Sequence, residues 1–248
     1  MPRTLPLVIA AVALAGCQQV EPDPGPDVSD AVRPGATATP ASPTTPDVPL
    51  ADARAEDEVV VVFFGDSLTA GYGLADPDAT AYPALVGDEI REAGVPVRVV
   101  NAGVSGETSA GGLGRIDWVL RQDTPDVFVL ALGANDGLRG VDPASTADNL
   151  EAILGRVREA APEARLVLTG MEALPNMGAD YRDRFRDVFP AVAAATDAAF
   201  VPFLLEGVAG VARLNQPDGV HPTAEGQRIM AGTVGEVVVP LATAAGAR

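Results

Sequence analysis

Asp66 and Ser67 follow directly on "VVVVFF" (59–64) and Gly65, so a carboxylate and a hydroxyl are presented where a run of β-favouring residues stops. Taken alone, the stretch from Gly65 to Gly73 admits three readings. Asp66 or Ser67 caps a helix; the hydroxyl- and glycine-rich turn cradles an anion; or Ser67 is a nucleophile. The other end of the chain decides between them. There "PDGVHPTAEGQ" holds the only histidine, His221, three residues after Asp218 and just before Pro222, which suits a helix start. A carboxylate on the same tight loop can fix the imidazole tautomer and stabilise its cation, leaving the other ring nitrogen to take a proton from Ser67. Serine, histidine and aspartate then form a complete nucleophilic unit.

Residues so far apart in sequence need a scaffold that brings them together. Five short runs are apolar throughout rather than alternating: 59–64, "VRVVN" at 97–101, "VFVLALG" at 127–133, "ARLVLTG" at 164–170 and "AFVPF" at 199–203. That pattern suits strands covered on both faces. Helical patterns separate them. Tyr82, Leu85, Val86 and Ile90 share one helical face, and Leu113, Ile116, Val119 and Leu120 share another. Trp118 stands at helical spacing and reads as packing against the sheet. Further helices are expected over 144–161, 179–197 with a kink near Pro190, and 222–243. Strands alternating with helices require right-handed crossovers, hence a five-stranded parallel sheet in a three-layer α/β/α, flavodoxin-like domain. Ligands collect at the carboxyl ends of such strands. Asp66 and Ser67 lie there, as do the loops "NAG" (101–103) and "GAND" (133–136).

The blocks "GDSLTAGYG", "NAGVSGETS", "GANDGLRG" and "DGVHP" resemble, in order and at suitable intervals, the four blocks of the SGNH (GDSL) hydrolase family. "AYPALV" after the first block and "LPNMGADY" in the fourth crossover are similar to its bacterial arylesterase and thioesterase/lysophospholipase branch. The resemblance spans residues 59 to 240. It implies that Ser67 is the nucleophile, His221 the base and Asp218 its partner, with the Ser67 and Gly103 N–H groups and the Asn135 amide as the oxyanion hole. A glycine N–H permits close approach of the reacting group, and an amide NH₂ donates without competing for the proton. The same resemblance places the acyl groove at Leu138, Val141, Met171, Leu174, Met177 and Tyr181. It implies a cofactor-free serine esterase acting on small acyl esters, and on thioesters or lysophospholipids. Two other functions fit parts of the pattern: a deacetylase of a cell-surface glycan using the same machinery, and a flavodoxin-like anion-binding module without catalysis. Arg139 could meet a charged leaving group, but reads rather as a solvated residue. The α/β-hydrolase elbow G-x-S-x-G is missing from the chain.

The first 57 residues read differently. "MPRTLPLVIAAVALAGC" has a positive start at Arg3 and an apolar run from Leu5 to Gly16, shorter than the roughly 20 residues of a membrane-spanning helix, and so suits a secretory signal. Its end, "LAGC", resembles the lipobox of bacterial lipoproteins. That implies a lipidated Cys17 at the mature N-terminus, anchoring the protein in the cell envelope, and Gln18 is the residue type associated with the outer membrane facing the periplasm. Residues 18–57 contain eight prolines, eight acids and no aromatic residue, a composition that cannot offset its ordering entropy by burial. They read as a disordered tether reaching at most about 120 Å at ~3.1 Å per residue. Residues 58–248 form the hydrolase-like domain, one core's worth of chain.

Charge and ligand counts narrow the partners. The 248 residues carry 34 acids against 17 basic residues, all arginine, for a net charge of −17, and the domain keeps 26 acids against 14 arginines. This leaves no basic patch for nucleic acid. One cysteine and one histidine cannot build a His/Cys zinc site, and a lone cysteine forms no intramolecular disulfide.

Overall fold

A computed structural model describes residues 58–248, so the expected leader, the expected anchor at Cys17 and the expected tether lie outside the described residues. In chain order the elements are β1 (Val59–Gly65), α1 (Ser67–Ala70), α2 (Pro77–Thr80), α3 (Tyr82–Glu92), β2 (Val97–Gly103), α4 (Ser109–Gln122) and β3 (Val127–Ala131). They continue as α5 (Ala134–Arg139), α6 (Pro143–Ala160), β4 (Arg165–Thr169), α7 (Ala179–Thr196), β5 (Ala199–Val201) and α8 (Ala224–Gly246). All strand pairings are parallel, in the order β2-β1-β3-β4-β5. The expected α/β/α architecture is the observed one.

Its physical basis is plain in β1. Four valines and two phenylalanines are β-branched or aromatic, fit a pleated surface, and are buried on both faces of the sheet. Each large side chain so buried contributes about 1.5–3 kcal/mol of transfer free energy. α3 and α8 pack together on one side, and α4, α6 and α7 form the other layer. α8 is long and apolar enough to cross a membrane, but it lies against α3 and the sheet, burying Met230, Val234 and Val238.

Tyr82, Val86 and Ile90 of α3 are fully buried, with Leu85 half-buried beside them. In α4, Ile116 and Val119 are buried, but Trp118 is 59% exposed. The expectation that it packs on the sheet is corrected by helix geometry: two residues beyond Ile116 is about 200° around the axis, on the opposite face. α7 runs through Pro190 as one helix. The segment 134–139, read from sequence only as a loop, is the short helix α5.

The register matters most for function. Gly65 pairs with Gly103 and with Ala131, so the carboxyl ends of β1, β2 and β3 are level. From β1 the chain steps to β2 on one side, then crosses back to β3 on the other, which makes the end of β1 the switch point of the sheet.

Candidate active site

Ser67 is the first residue of α1, immediately after Asp66 caps that turn by accepting the Leu68 N–H at 3.0 Å. The cap and the nucleophile readings therefore hold together: Asp66 caps, and Ser67 stays available. Ser67 Oγ lies 2.9 Å from His221 Nε2, and His221 Nδ1 lies 2.7 Å from Asp218 Oδ2. The other carboxylate oxygen of Asp218 accepts the N–H groups of Val220 at 2.9 Å and His221 at 3.0 Å. The backbone and ring hydrogen bonds from His221, with that from Val220, hold the Asp218 carboxyl down at about 2. An ionised Asp218 therefore faces Nδ1 across the working pH range, and Nε2 is left to exchange a proton with Ser67.

Gln216 fixes the relation between the two loops. Its amide donates to the Tyr72 carbonyl at 2.7 Å and the Pro222 carbonyl at 3.1 Å, and its N–H donates to the His221 carbonyl at 2.7 Å. The Tyr72 ring adds a face to this joint, with its centroid 4.7 Å from that of the imidazole.

Asn135 lies in the first turn of α5, and its amide donates to Asp66 at 3.4 Å. α5 itself is pinned from beneath. Buried Asp136 accepts the Ser109 N–H at 2.8 Å, the Ser109 hydroxyl at 2.5 Å and the Thr146 hydroxyl at 3.3 Å, so α4 and α6 both hold the helix that carries Asn135.

Gly103 does not occupy the position expected of it. It is the last residue of β2, its N–H donates to the Asn101 side chain at 3.0 Å, and an added Cβ would stand 2.3 Å from the Ala70 nitrogen. The glycine is there to let α1 pass over the strand, and its donor is already taken. Gly106, three residues on, lines the cavity instead, and its φ of 80° is one that side chains rarely adopt. Among the described residues its N–H and that of Ser67 have no protein partner. Arg115 steadies this loop with a two-pronged pair to Glu107 at 2.7 and 2.6 Å and a bond to the Ala102 carbonyl at 2.7 Å. Arg139, read as solvated, donates to the Gly106 carbonyl at 2.9 Å.

Ser67, Asn135, Asp218 and His221 share a cavity of about 430 Å³. Of the six expected groove residues, Leu138, Met171 and Leu174 line it; Val141, Met177 and Tyr181 do not. Tyr181 turns behind α5, donating to the Val141 carbonyl at 2.8 Å and stacking on Phe185, while Met177 packs near Gly140. Their role is to buttress the cavity wall. Tyr72, Ser105, Gly106, Glu172, Leu205 and Val220 also line it and were not singled out from sequence. The second glycine of "NAGVSGETS" was the one available signal among them.

Asp66 is 1% exposed, and burial pushes its carboxyl up to about 7 against the opposing hydrogen bonds from Leu68 and Asn135. The folded protein holds this proton more tightly than the unfolded chain, whose carboxyl titrates near 3.8. The stability so contributed is complete below that value and is lost as pH rises through about 7. Asp66→Asn should therefore flatten the fall in stability between about pH 4 and about pH 7, each pKa unit being worth about 1.4 kcal/mol. Thermal unfolding of both proteins across that range checks this, and parallel slopes would count against it.

The profile of the GDSL-like Lipase/Acylhydrolase family matches residues 63–229. Esterase TesA of Pseudomonas aeruginosa is 41% identical over 177 residues, which is 71% of this chain and 86% of that protein. Thioesterase 1/protease 1/lysophospholipase L1 of Escherichia coli K12 is 35% identical over 188 residues, 76% of this chain and 87% of that protein. A crystal structure of TesA superposes with a TM-score of 0.69 at 39% identity, covering 73% of this chain and 99% of that one.

Proposed function

The chain belongs to the GDSL-like lipase/acylhydrolase family and is a carboxylic ester hydrolase, and from that premise we propose that it cleaves medium-chain acyl esters through Ser67, His221 and Asp218. The carrying observation is the continuous relay from Ser67 Oγ through the imidazole to Asp218, with gaps of 2.9 and 2.7 Å. His221 Nε2 takes the Ser67 proton as Oγ bonds to the acyl carbon, and Asp218 stabilises the cation that forms. The carbonyl oxygen becomes an oxyanion and accepts from the N–H groups of Ser67 and Gly106 and from the Asn135 amide. His221 then returns the proton to the departing oxygen, leaving the acyl group on Ser67. Water, deprotonated by the same nitrogen, releases the acid and restores the serine. Thioesters fit the same sequence with sulfur departing.

The expected acyl preference follows from the cavity wall. Leu138, Met171 and Leu174 offer more apolar surface than an acetyl group can use, and methionine adapts to several chain shapes. Each buried methylene is worth about 0.8 kcal/mol, so four further carbons should raise kcat/KM by around two orders of magnitude. A series of acyl esters from acetyl to dodecanoyl tests this, with Leu174→Ala expected to weaken the longer members selectively. A steady fall from acetyl onward would instead favour the glycan deacetylase.

A further inference from the structure

The proton return just described fixes where the alcohol of the ester stands, because its oxygen must come within hydrogen-bond reach of His221 Nε2. Around the imidazole stand Tyr72, 54% exposed, whose ring packs against it, and Asp218, on the Nδ1 side, whose side chain is 43% exposed, and Val220 lines the cavity with them. An exposed aromatic face beside a carboxylate is the chemistry that recognises an ammonium group. The charge around the cavity has the same sign. Among the described residues, the charged ones that line it are Glu172 and Asp218, both acidic. Of the nearby cations, Arg139 does not itself line the cavity but donates to the Gly106 carbonyl at its edge, and Arg115 is paired with Glu107. Arg182 and Arg186 share a separate small cavity with Glu172 and do not line this one. A low-dielectric cleft lined by one sign of charge concentrates the opposite charge.

Resting on the acyl-ester reading above, we propose that Tyr72, Val220 and Asp218 form a leaving-group subsite selective for alcohols bearing a quaternary or primary ammonium, and that it disfavours anionic leaving groups such as phosphorylated thiols. The tyrosine contributes its ring face, and Asp218 its carboxylate while the imidazole is neutral and substrate binds. Glu172 adds a second carboxylate to the cavity lining.

Three octanoyl esters of similar size separate this from the esterase reading itself: octanoylcholine, its uncharged isostere 3,3-dimethylbutyl octanoate, and 2-sulfoethyl octanoate. Hydrolysis of the uncharged ester reports the esterase, and its failure would strike the underlying function. At low ionic strength kcat/KM should be about 3- to 30-fold higher for the choline ester than for the isostere. The sulfonate should be the poorest of the three, and the spread between the charged esters should narrow in added salt. Tyr72→Leu should reduce the choline-to-isostere ratio several-fold while Tyr72→Phe preserves it. Glu172→Gln, at an exposed position, should reduce the choline-to-sulfonate ratio. Equal turnover of the three esters, or ratios unchanged in both Tyr72→Leu and Glu172→Gln, overturns the subsite.

Discussion

Replacing Ser67 or His221 by alanine should each lower kcat by about 10⁴- to 10⁶-fold, with the double variant no worse than either single one. The relay explains why. Ser67 Oγ is 2.9 Å from the sole imidazole of the chain, so removing either group leaves the other with nothing to exchange a proton with. Asp218→Asn should be milder. An amide oxygen can still accept the Val220 and His221 N–H groups that shape the loop, and the Gln216 ties from Tyr72 to His221 remain. The fold should survive all three changes, because the packing of β1 and α8 does not depend on these side chains. Single-turnover and steady-state rates on one ester, with thermal unfolding as the control, decide it. Near-wild-type turnover in either alanine variant, in material free of parent enzyme, ends the assignment of the nucleophile or base.

The parts of the molecule that were legible in the sequence are those whose physics is local. β1 reads as a strand because Val59 to Phe64 are all β-favouring, and as a central one because no polar residue interrupts them. His221 could be singled out because no other imidazole exists and Asp218 sits three residues away. What was not legible depends on neighbours distant in sequence. "ANDGLR" carries a glycine and two turn-forming residues, yet it is helical because Asp136 is held by Ser109 and Thr146 from two other helices. Two glycines stand in "NAGVSGETS", and spacing cannot say which N–H is free. That is settled by the Asn101 side chain capturing the first and by α1 lying over it. Val141, Met177 and Tyr181 follow the right strands but pack behind α5. Tyr72 is tied to the histidine loop by Gln216, 144 residues later, which holds its carbonyl.

Asn135→Ala should lower kcat by about 10²- to 10³-fold and change KM little, since the amide matters once charge has developed on the carbonyl oxygen. The structure sharpens this expectation. Asn135 sits on a helix pinned through Asp136, and its amide is oriented by Asp66, so the donor is placed before substrate arrives and costs no reorganisation in the reaction. Losing it should leave the hydrogen-bonded core of α5 intact, because Asp136 rather than Asn135 carries those contacts. Asn135→Asp should be worse than alanine: a carboxylate there repels both the oxyanion and the neighbouring Asp66, whose burial already disfavours its ionised form. Its activity should recover in part as pH falls and one of the two carboxyls takes a proton, a trend that Asn135→Ala lacks. Steady-state kinetics of both variants over a common pH range tests the pair. A raised KM with unchanged kcat would make Asn135 a ground-state binding residue, and the oxyanion would then depend on the Ser67 and Gly106 N–H groups alone.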